Sequence, residues 1–368
     1  MAILRFAKKN IVFCVAAVAA AITCFFVPPD ADYLGYFDWK TLACLFLTLA
    51  VVCALRNVKF FTIVARRLVR VSGNLRSLFL LLIAITFIGS MLIANDMALI
   101  TFLPLGYFAL SVTKQEKYMA YLFILQNISA NLGGMLTPFG NPQNLYLYSY
   151  FNIPTAEFCG IMLPPFLLAI TLLALCCLPI KPVALTITDS FKERLNKKRT
   201  ALYLTLFALS LLIVFRVVPY LIGLVLITAV LLWADREALL MVDYGLLGTF
   251  FFFFIFAGNL SRIEAVNDLM SALLENDTLM VSIASCQGIS NVPTAILFSR
   301  FTTDYHSLLL GVNLGGTGTL IASLASLITF SEFRILYPGH SKQYFWMFTG
   351  INAGFLVVMT VAAKLFFV

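Results

Sequence analysis

Two clusters of residues that could bind an ion or a polar ligand lie within apolar stretches of the chain. The first combines the dipeptide Asn-Asp at 95–96 with GGMLTPFGNPQN at 133–144, and the second combines ISNVPT at 289–294 with GGTGTLIAS at 315–323. Glycine and proline interrupt helices. An interrupted helix frees carbonyl and N–H groups that lipid cannot satisfy. Freed carbonyl oxygens suit a cation such as Na⁺, whereas N–H groups at a helix N-terminus suit a carboxylate or another oxyanion.

The two clusters align with each other. The matches are Asn131-Leu132-Gly133-Gly134 with Asn313-Leu314-Gly315-Gly316, Asn95 with Asn291, Thr137 with Thr319, Asn141 with Ser323, Asn144 with Ser326, and Phe37-Asp38-Trp39 with Val242-Asp243-Tyr244. The matched features occur in the same order in both halves, which indicates an internal repeat. The alternative interpretation is that the glycines only let helices pack and that Asn and Pro only cap short arms.

Asp96 differs from the other polar residues because it carries a charge. A carboxylate at the bilayer centre costs about 2.5–3.5 kcal/mol on the insertion scale, so it is expected to have a function. It could ligate a cation or take up and release a proton; the alternative is an N-cap of the following helix.

The predicted site has two kinds of ligand. The predicted substrate contacts are Asn95, Thr137, Asn141, Asn144, Asn291, Thr294, Thr319 and Ser323. The predicted cation ligands are Asn95, Asp96, Gly133, Gly140, Ser290, Asn291 and Gly315. We expect no cofactor and no metal other than Na⁺ as a coupling ion, and the chain lacks an obvious nucleophile–base pair or metal cluster that would indicate an enzyme.

The composition places these clusters in a membrane. Hydrophobic residues make up 61% of the 368 and charged residues 11%, with a mean hydropathy of +0.97, which excludes a soluble globular domain. The net charge of +8 reflects basic loops at 56–74 and 181–200, the positive-inside pattern, and not a nucleic-acid surface. The segment 261–277 is more acidic and is expected to face outward.

The sequence predicts an all-α polytopic membrane protein with about nine full spans. Full spans are predicted at 11–27, 39–55, 158–180, 201–218, 220–234, 243–260 and 343–367, because a spanning helix needs about 20 apolar residues. Two discontinuous helices at 117–150 and 304–330 complete the count. The loop 56–74 is expected to contain an amphipathic helix on the cytoplasmic surface.

The elements that position the clusters are predicted to form an inverted repeat. Residues 1–180 form the first copy, with a hairpin at 75–111; 181–200 form a basic cytoplasmic linker; and 201–368 form an extra helix and the second copy, with a hairpin at 276–303. Because the second arm of each hairpin looks too short to cross, both hairpins are expected to be re-entrant. An odd number of crossings then inverts the second copy, as in secondary transporters with a site at the midplane. The N-terminus is expected to be cytoplasmic and the C-terminus outside, in the plasma (inner) membrane.

At these residues the chain resembles the ion-transporter superfamily that includes divalent anion/sodium symporters, citrate permeases and arsenite permeases. Residues 133–144 match its Gly-Gly-x-x-Thr-x-x-Gly-x-Pro-x-Asn signature, and Ser290-Asn291 matches the second Ser-Asn-Thr tip. The first tip departs, since Ala94-Asn95-Asp96 replaces Ser-Asn-Thr and looks more like the arsenite and citrate permeases. The resemblance covers most of residues 36–368 and implies a homodimer in which a transport region moves elevator-like against a scaffold.

These observations predict a secondary active transporter of a small anion, a di- or tricarboxylate, coupled to Na⁺ or H⁺. The alternatives left open by the sequence are an arsenite or antimonite efflux permease, a Na⁺/H⁺ antiporter, and a passive channel or structural membrane subunit.

Overall fold

The computed structural model describes residues 11–185 and 195–367. Within these ranges the regular secondary structure is helical apart from one isolated bridge between Asn74 and Ala184, and turns and irregular segments connect the helices. The helices of the first half are α1 (Ile11–Phe26), α2 (Trp39–Asn57), α3 (Phe60–Val69), α4 (Leu75–Ile93), α5 (Asn95–Val112), α6 (Met119–Gly133), α7 (Pro142–Tyr150) and α8 (Thr155–Cys177). Those of the second half are α9 (Lys197–Val214), α10 (Tyr220–Ala234), α11 (Arg236–Leu240), α12 (Tyr244–Ser261), α13 (Glu264–Ile289), α14 (Asn291–Phe298), α15 (Tyr305–Leu314), α16 (Leu324–Leu336) and α17 (Ser341–Ala362).

The helices confirm a polytopic membrane protein. Six stretches in the described ranges are long and apolar enough to cross a bilayer: α2, α4, α5, α8, α12 and the C-terminal stretch Pro338–Phe367. The apolar helices α1 and α10 are shorter. The total of nine spans stays a prediction.

Both predicted discontinuous helices are interrupted at their glycine-rich motifs, and the first motif also contains two prolines. The first stops at Gly133, passes through a 3-10 turn at Gly134–Leu136, and resumes at Pro142. Proline suits that restart because its missing N–H would have no partner in the first turn anyway. The second stops at Leu314 and resumes at Leu324. It continues to Leu336, so the predicted end at 330 is too early.

The hairpin arms differ from the prediction. The later arm of the first hairpin, α5, has 18 residues and is long enough to cross a bilayer, because its first turn includes Asn95 and Asp96. The later arm of the second hairpin, α14, has only 8 residues. Helix α13 kinks at Asp277, whose backbone is not helical, so the second hairpin starts there and the preceding segment from Glu264 is helix instead of loop. That either hairpin is re-entrant stays a prediction.

The two halves pack in a reciprocal way. Helices α4 and α5 pack on α6, and α13 and α14 pack on α15, so each hairpin contacts the pre-break helix of its own half. The post-break helices contact the other half: α7 packs against α14, and α16 packs against α5 and α6. Each break therefore lies between its own hairpin and the hairpin of the other half.

Contacts at the helix ends show which loops lie at the same end of the helix bundle. Leu75 N donates to Val183 O at 2.9 Å and Leu185 N to Gly73 O at 3.1 Å, so the two predicted basic loops lie at one end of the bundle. The linker residues 186–194 lie outside the described ranges, and residues from Lys197 onward belong to α9. Arg262, which follows α12, pairs with Asp30 at 2.6 Å, and the direction of α2 places this pair at the opposite end.

Helix α3 forms within the loop 56–74, as predicted. It presents Ile63, Ala65 and Val69 to the protein and exposes Arg67 and Arg70, which is the pattern of an amphipathic surface helix.

Candidate functional site

The tip of the first hairpin is a single residue with unusual backbone angles. Ala94 has φ 66° and ψ 151°, a region that is normally open only to glycine. This conformation reverses the chain between α4 and α5 and directs Asn95 inward. Asn95 is buried; its backbone N–H donates to Gly140 O at 3.2 Å and its Nδ2 donates to Asn131 Oδ1 at 3.2 Å. The tip is thereby fastened to both sides of the first helix break.

The second tip repeats this geometry. Ser290 has φ 76° and ψ 157°, and Asn291 N donates to Ala322 O at 3.0 Å. In both tips the Asn side chain accepts from the next backbone N–H at 2.9 Å, Asp96 N in the first and Val292 N in the second. The alignment of Asn95 with Asn291 therefore corresponds to matching local structure.

At the first break, Asn144 supplies the hydrogen bonds that the interrupted helix has lost. Its Nδ2 lies 3.3 Å from Gly134 O and 3.2 Å from Met135 O, two carbonyls of the 3-10 turn that follows α6. The side chain of Asn144 is fully buried, so these bonds are made away from water. Asn144 of the GNPQN motif thus stabilises the helix break, in addition to any contact with a ligand.

At the second break the same purpose is served by Gln287, a residue that the sequence analysis did not identify. Its Nε2 donates to Gly315 O at 2.9 Å and Thr317 O at 3.2 Å, and its Oε1 accepts from Thr319 N at 2.9 Å. Position 326, which aligns with Asn144, holds a serine too short for this role. Alignment of the two halves does not predict this role of Gln287, because the aligned residue in the first half is Met91.

The two breaks touch through buried asparagines. Asn313 Nδ2 donates to Asn144 Oδ1 at 2.6 Å, and Asn141 Nδ2 donates to Asn313 Oδ1 at 3.3 Å. Close by, Asn127 Nδ2 donates to Ser326 Oγ at 3.3 Å. Asn127 and Asn313 were not assigned to the site from sequence, although Asn313 belongs to the repeated Asn-Leu-Gly-Gly motif.

Four buried polar atoms beside the first break have no hydrogen-bond partner among the described residues: Asp96 Oδ1, Asn131 Nδ2, Asn141 Oδ1 and Gln143 Oε1. Three are acceptors and one is a donor, and a buried polar atom without a partner costs about 1–3 kcal/mol. Such atoms are positioned to bind a ligand, an ion or water.

Four helix N-termini belong to this region. The bond from Asn95 N to Gly140 O joins the start of α5 to the start of α7, and the bond from Asn291 N to Ala322 O joins the start of α14 to the start of α16. The asparagine contacts join the start of α7 to the last turn of α15 and so bring the two breaks together. Helix N-termini carry partial positive charge, so their convergence favours an anion.

The other predicted residues have varied surroundings. Thr137 Oγ1 donates to Met91 O at 2.8 Å, and Thr319 Oγ1, in the aligned position, donates to Gln287 O at 3.0 Å from an exposed site. Thr294 Oγ1 donates to Ser290 O at 2.8 Å, and Ser323 Oγ lies 2.9 Å from Ser326 Oγ.

The predicted glycines are close to protein atoms. A Cβ at Gly133 would lie 2.3 Å from Phe87 O, and one at Gly140 would lie 2.2 Å from Gly134 O. The carbonyls of Gly140 and Gly315 accept protein N–H donors. Close packing, the alternative raised by the sequence, is therefore one role of these residues. Their role as cation ligands stays a prediction.

The chain is similar to known membrane transporters over most of its length. Residues 1–306 match the citrate transporter family, CitMHS. An uncharacterized transporter of Methanocaldococcus jannaschii is 35% identical over 336 residues, which make up 90% of this chain and 91% of that protein. The inner membrane protein YbiR of Escherichia coli is 28% identical over 337 residues, 88% of this chain and 86% of its own length. A silicon efflux transporter of Oryza sativa subsp. japonica is 31% identical over 163 residues, 44% of this chain and 33% of its own length.

These similarities agree with the resemblance seen in the glycine-rich motifs, and they place the chain among transporters and not among enzymes. With its apolar helices and its two joined helix breaks, the chain is an integral membrane transporter that belongs to the citrate transporter family.

Proposed function

We propose that the chain is a secondary active transporter that carries a small anion, a di- or tricarboxylate, coupled to Na⁺ or H⁺. The convergence of four helix N-termini at the two helix breaks carries this proposal. Their partial positive charges attract an anion without a fully buried cationic side chain. The amides of Asn95, Asn141 and Asn291 orient it.

The coupling ion acts next to the substrate in this proposal. Asp96 lies in the first turn of α5, and its buried Oδ1 has no protein partner in the described ranges. A carboxylate in that position can ligate Na⁺ or bind a proton, and either event would change the charge beside the anion site. The second half has Val292 at the aligned position, so coupling through Asp96 is confined to the first half-site.

The transport cycle is proposed to be of the elevator type in a homodimer, with 1–180 and 201–368 as inverted repeats. The reciprocal packing of α7 on α14 and of α16 on α5 supports this division, since each half completes the surroundings of the other. In this scheme the hairpins, α6, α7, α15 and α16 move as one body against α1, α2 and α12.

The direct test is uptake of radiolabelled citrate and succinate into proteoliposomes under an imposed Na⁺ or H⁺ gradient. We expect uptake above equilibrium with one of the two gradients. Asp96→Asn should abolish the gradient dependence, because a neutral amide cannot titrate and is a weaker cation ligand. The matched control is Asp268→Asn, which removes an exposed carboxylate on α13 and should not alter uptake.

The results also discriminate the alternatives. Equal gradient-driven uptake by the wild type and Asp96→Asn would show that Asp96 has no coupling role. Flux that only runs down a gradient would indicate a channel. Proton movement driven by Na⁺ without any anion would indicate an antiporter.

Metalloid efflux is the second candidate function. The Asn95-Asp96 tip and the similarity to a silicon efflux transporter favour it. Expression in a metalloid-sensitive bacterial strain tests it: growth in arsenite or antimonite should improve if the chain exports these species, and should be unchanged if it carries carboxylates.

A further inference from the structure

A polar cavity lies away from the helix breaks, at the end of the bundle that contains Asp30 and Arg262. It has a volume of about 310 Å³ and is lined by residues 35–38, Lys40, Ser149, Tyr150 and Arg300. This volume is at the lower end of the roughly 300–1,000 Å³ typical of small-molecule sites. Its walls come from the α1–α2 connection on one side and from the ends of α7 and α14 on the other.

Arg300 is held in a fixed position at this cavity. Its Nη2 donates to Tyr36 O at 2.6 Å, and its guanidinium carbon lies 5.4 Å from the centre of the Tyr150 ring. Its Nε is buried and has no acceptor among the described residues. The positive charge is therefore not neutralised by these contacts.

Lys40 is a second cation in the same cavity. It is half-buried, and its ammonium forms no hydrogen bond or ion pair within the described part of the chain. The carboxylate of the lining residue Asp38 is engaged elsewhere: its two oxygens accept from Thr41 N at 2.9 Å and from Thr41 Oγ1 at 2.6 Å. Asp38 thus caps α2 and does not pair with Lys40.

Arg216 adds a third positive charge nearby. It donates to Tyr148 O at 2.5 Å, directly before the lining residue Ser149, and its guanidinium lies 4.2 Å from the centre of the Tyr148 ring. Its charge interacts with that of Lys40. Three cations and one carboxylate therefore surround the cavity and its rim, which gives this region an excess of positive charge.

The cavity is connected to the central region by two rigid half-helices. Helix α7, with 9 residues, runs from the first break to the cavity, and α14, with 8 residues, runs there from the second tip. Tyr146 on α7 and Ser299 after α14 lie 2.7 Å apart through their hydroxyl oxygens and tie the two together. At 1.5 Å per residue, the cavity is about 12–14 Å from the helix breaks, too far for one small anion to reach both.

We propose that this cavity is a second anion-binding site that takes a small carboxylate or another oxyanion between Arg300 and Lys40. The partly exposed guanidinium of Arg300 and the Lys40 ammonium both donate to the ligand. The site is separate from the one at the helix breaks and does not depend on which solute the chain transports.

Chemical labelling of Lys40 tests this site directly. The full-length protein in detergent is acetylated with N-acetoxysuccinimide, a neutral reagent, and the rate at each lysine is read by mass spectrometry. Citrate or inorganic phosphate is added at constant ionic strength, maintained with choline chloride. We expect either anion to slow the labelling of Lys40 severalfold and to leave exposed Lys342, outside the cavity, unchanged.

Two variants test whether the protection of Lys40 arises in this cavity. Arg300→Gln should raise the citrate concentration for half protection by about tenfold or more, the size of one hydrogen bond to a charged group. Because Arg300 also bonds to Tyr36, the second variant is Ser149→Asp. It places a negative charge in the cavity without removing a charged contact, and it should likewise raise the citrate concentration for half protection.

The comparison of the two anions identifies the source of the ligand. Protection at a lower concentration of citrate indicates a carboxylate, such as a transported solute, and protection at a lower concentration of phosphate indicates an inorganic oxyanion. Labelling of Lys40 that neither anion changes, or equal protection of Lys40 and Lys342, would overturn the proposal. Absence of citrate uptake in proteoliposomes would contradict the proposed function alone.

Discussion

At the residue scale, the two helix breaks are stabilised in the same way by different side chains. Each break leaves carbonyls at the end of a half-helix, and a single carboxamide donates to them: Asn144 in the first half and Gln287 in the second. Asn144 comes from the post-break helix, whereas Gln287 comes from the hairpin. The chemistry is conserved between the halves although the positions are not, which is why alignment of the halves did not predict Gln287.

Gln287→Met, which copies the residue at position 91, should destabilise the protein by about 2 kcal/mol or more. It leaves the buried carbonyls of Gly315 and Thr317 without this donor, and each such group costs about 1–3 kcal/mol. The measurement is the temperature of half-aggregation in detergent. Gln343→Met, an exposed position on α17, is the control and should be neutral. Equal stability of the two variants would show that Gln287 does not cap the break.

At the element scale, each hairpin turns at one residue that is not glycine but has glycine-like angles. The strain at Ala94 and Ser290 is of the order of 1–3 kcal/mol each. Both tips place an asparagine against the helix break of their own half, so the strain is compensated by the contacts of Asn95 and Asn291. The shared conformation of two tips far apart in sequence supports the repeat more strongly than the residue matches do.

Ala94→Gly should therefore stabilise the protein by about 1 kcal/mol, because the relief of strain exceeds the added entropy of the unfolded chain. The same substitution four residues later, Ala98→Gly, should destabilise it by at least about 1 kcal/mol, since Ala98 is buried within α5. Thermal denaturation of the two variants beside the wild type checks both. A loss of stability in Ala94→Gly as large as that in Ala98→Gly would contradict the strain argument.

At the scale of the whole molecule, the two halves are joined by crossed contacts at the breaks and by polar contacts at one end. Arg262 donates through Nη1 to Asp30 Oδ1 at 3.0 Å and through Nη2 to Asp30 Oδ2 at 2.6 Å, and Arg300 binds Tyr36 across 264 positions of sequence. The connection between α1 and α2 is thus held by two arginines from the second half.

The Asp30–Arg262 pair should make stability depend on pH in acid. The hydrogen bond from Arg262 lowers the pKa of Asp30 below its usual range, so its contribution is present above the unfolded pKa of about 3.9 and is lost as the pH falls through the folded value. The contribution is small because both side chains are exposed. The difference in melting temperature between the wild type and Asp30→Asn should be seen at pH 7 and vanish near the acid limit. It should also shrink in high salt, and a difference independent of pH and salt would exclude an ionic origin.

The sequence by itself determined the membrane character, the interrupted helices and the order of their motifs. These properties depend on composition and on local backbone preferences: 61% hydrophobic residues cannot form a soluble surface, and the glycines and prolines at 133–142 stop a helix wherever it lies. The length of α5 was misjudged, since whether Asn95 and Asp96 begin a helix depends on the turn at Ala94.

Only the tertiary structure decided which atoms meet. It paired Asn141 with Asn313, gave Gln287 the role of a cap, filled the space at Gly133 with Phe87, and joined Lys40 and Arg300 in one cavity. The physical reason is distance along the chain. Helix periodicity and turn preferences act over a few residues, whereas these contacts depend on how whole helices pack, and a side chain bonds to whatever that packing brings within about 3 Å.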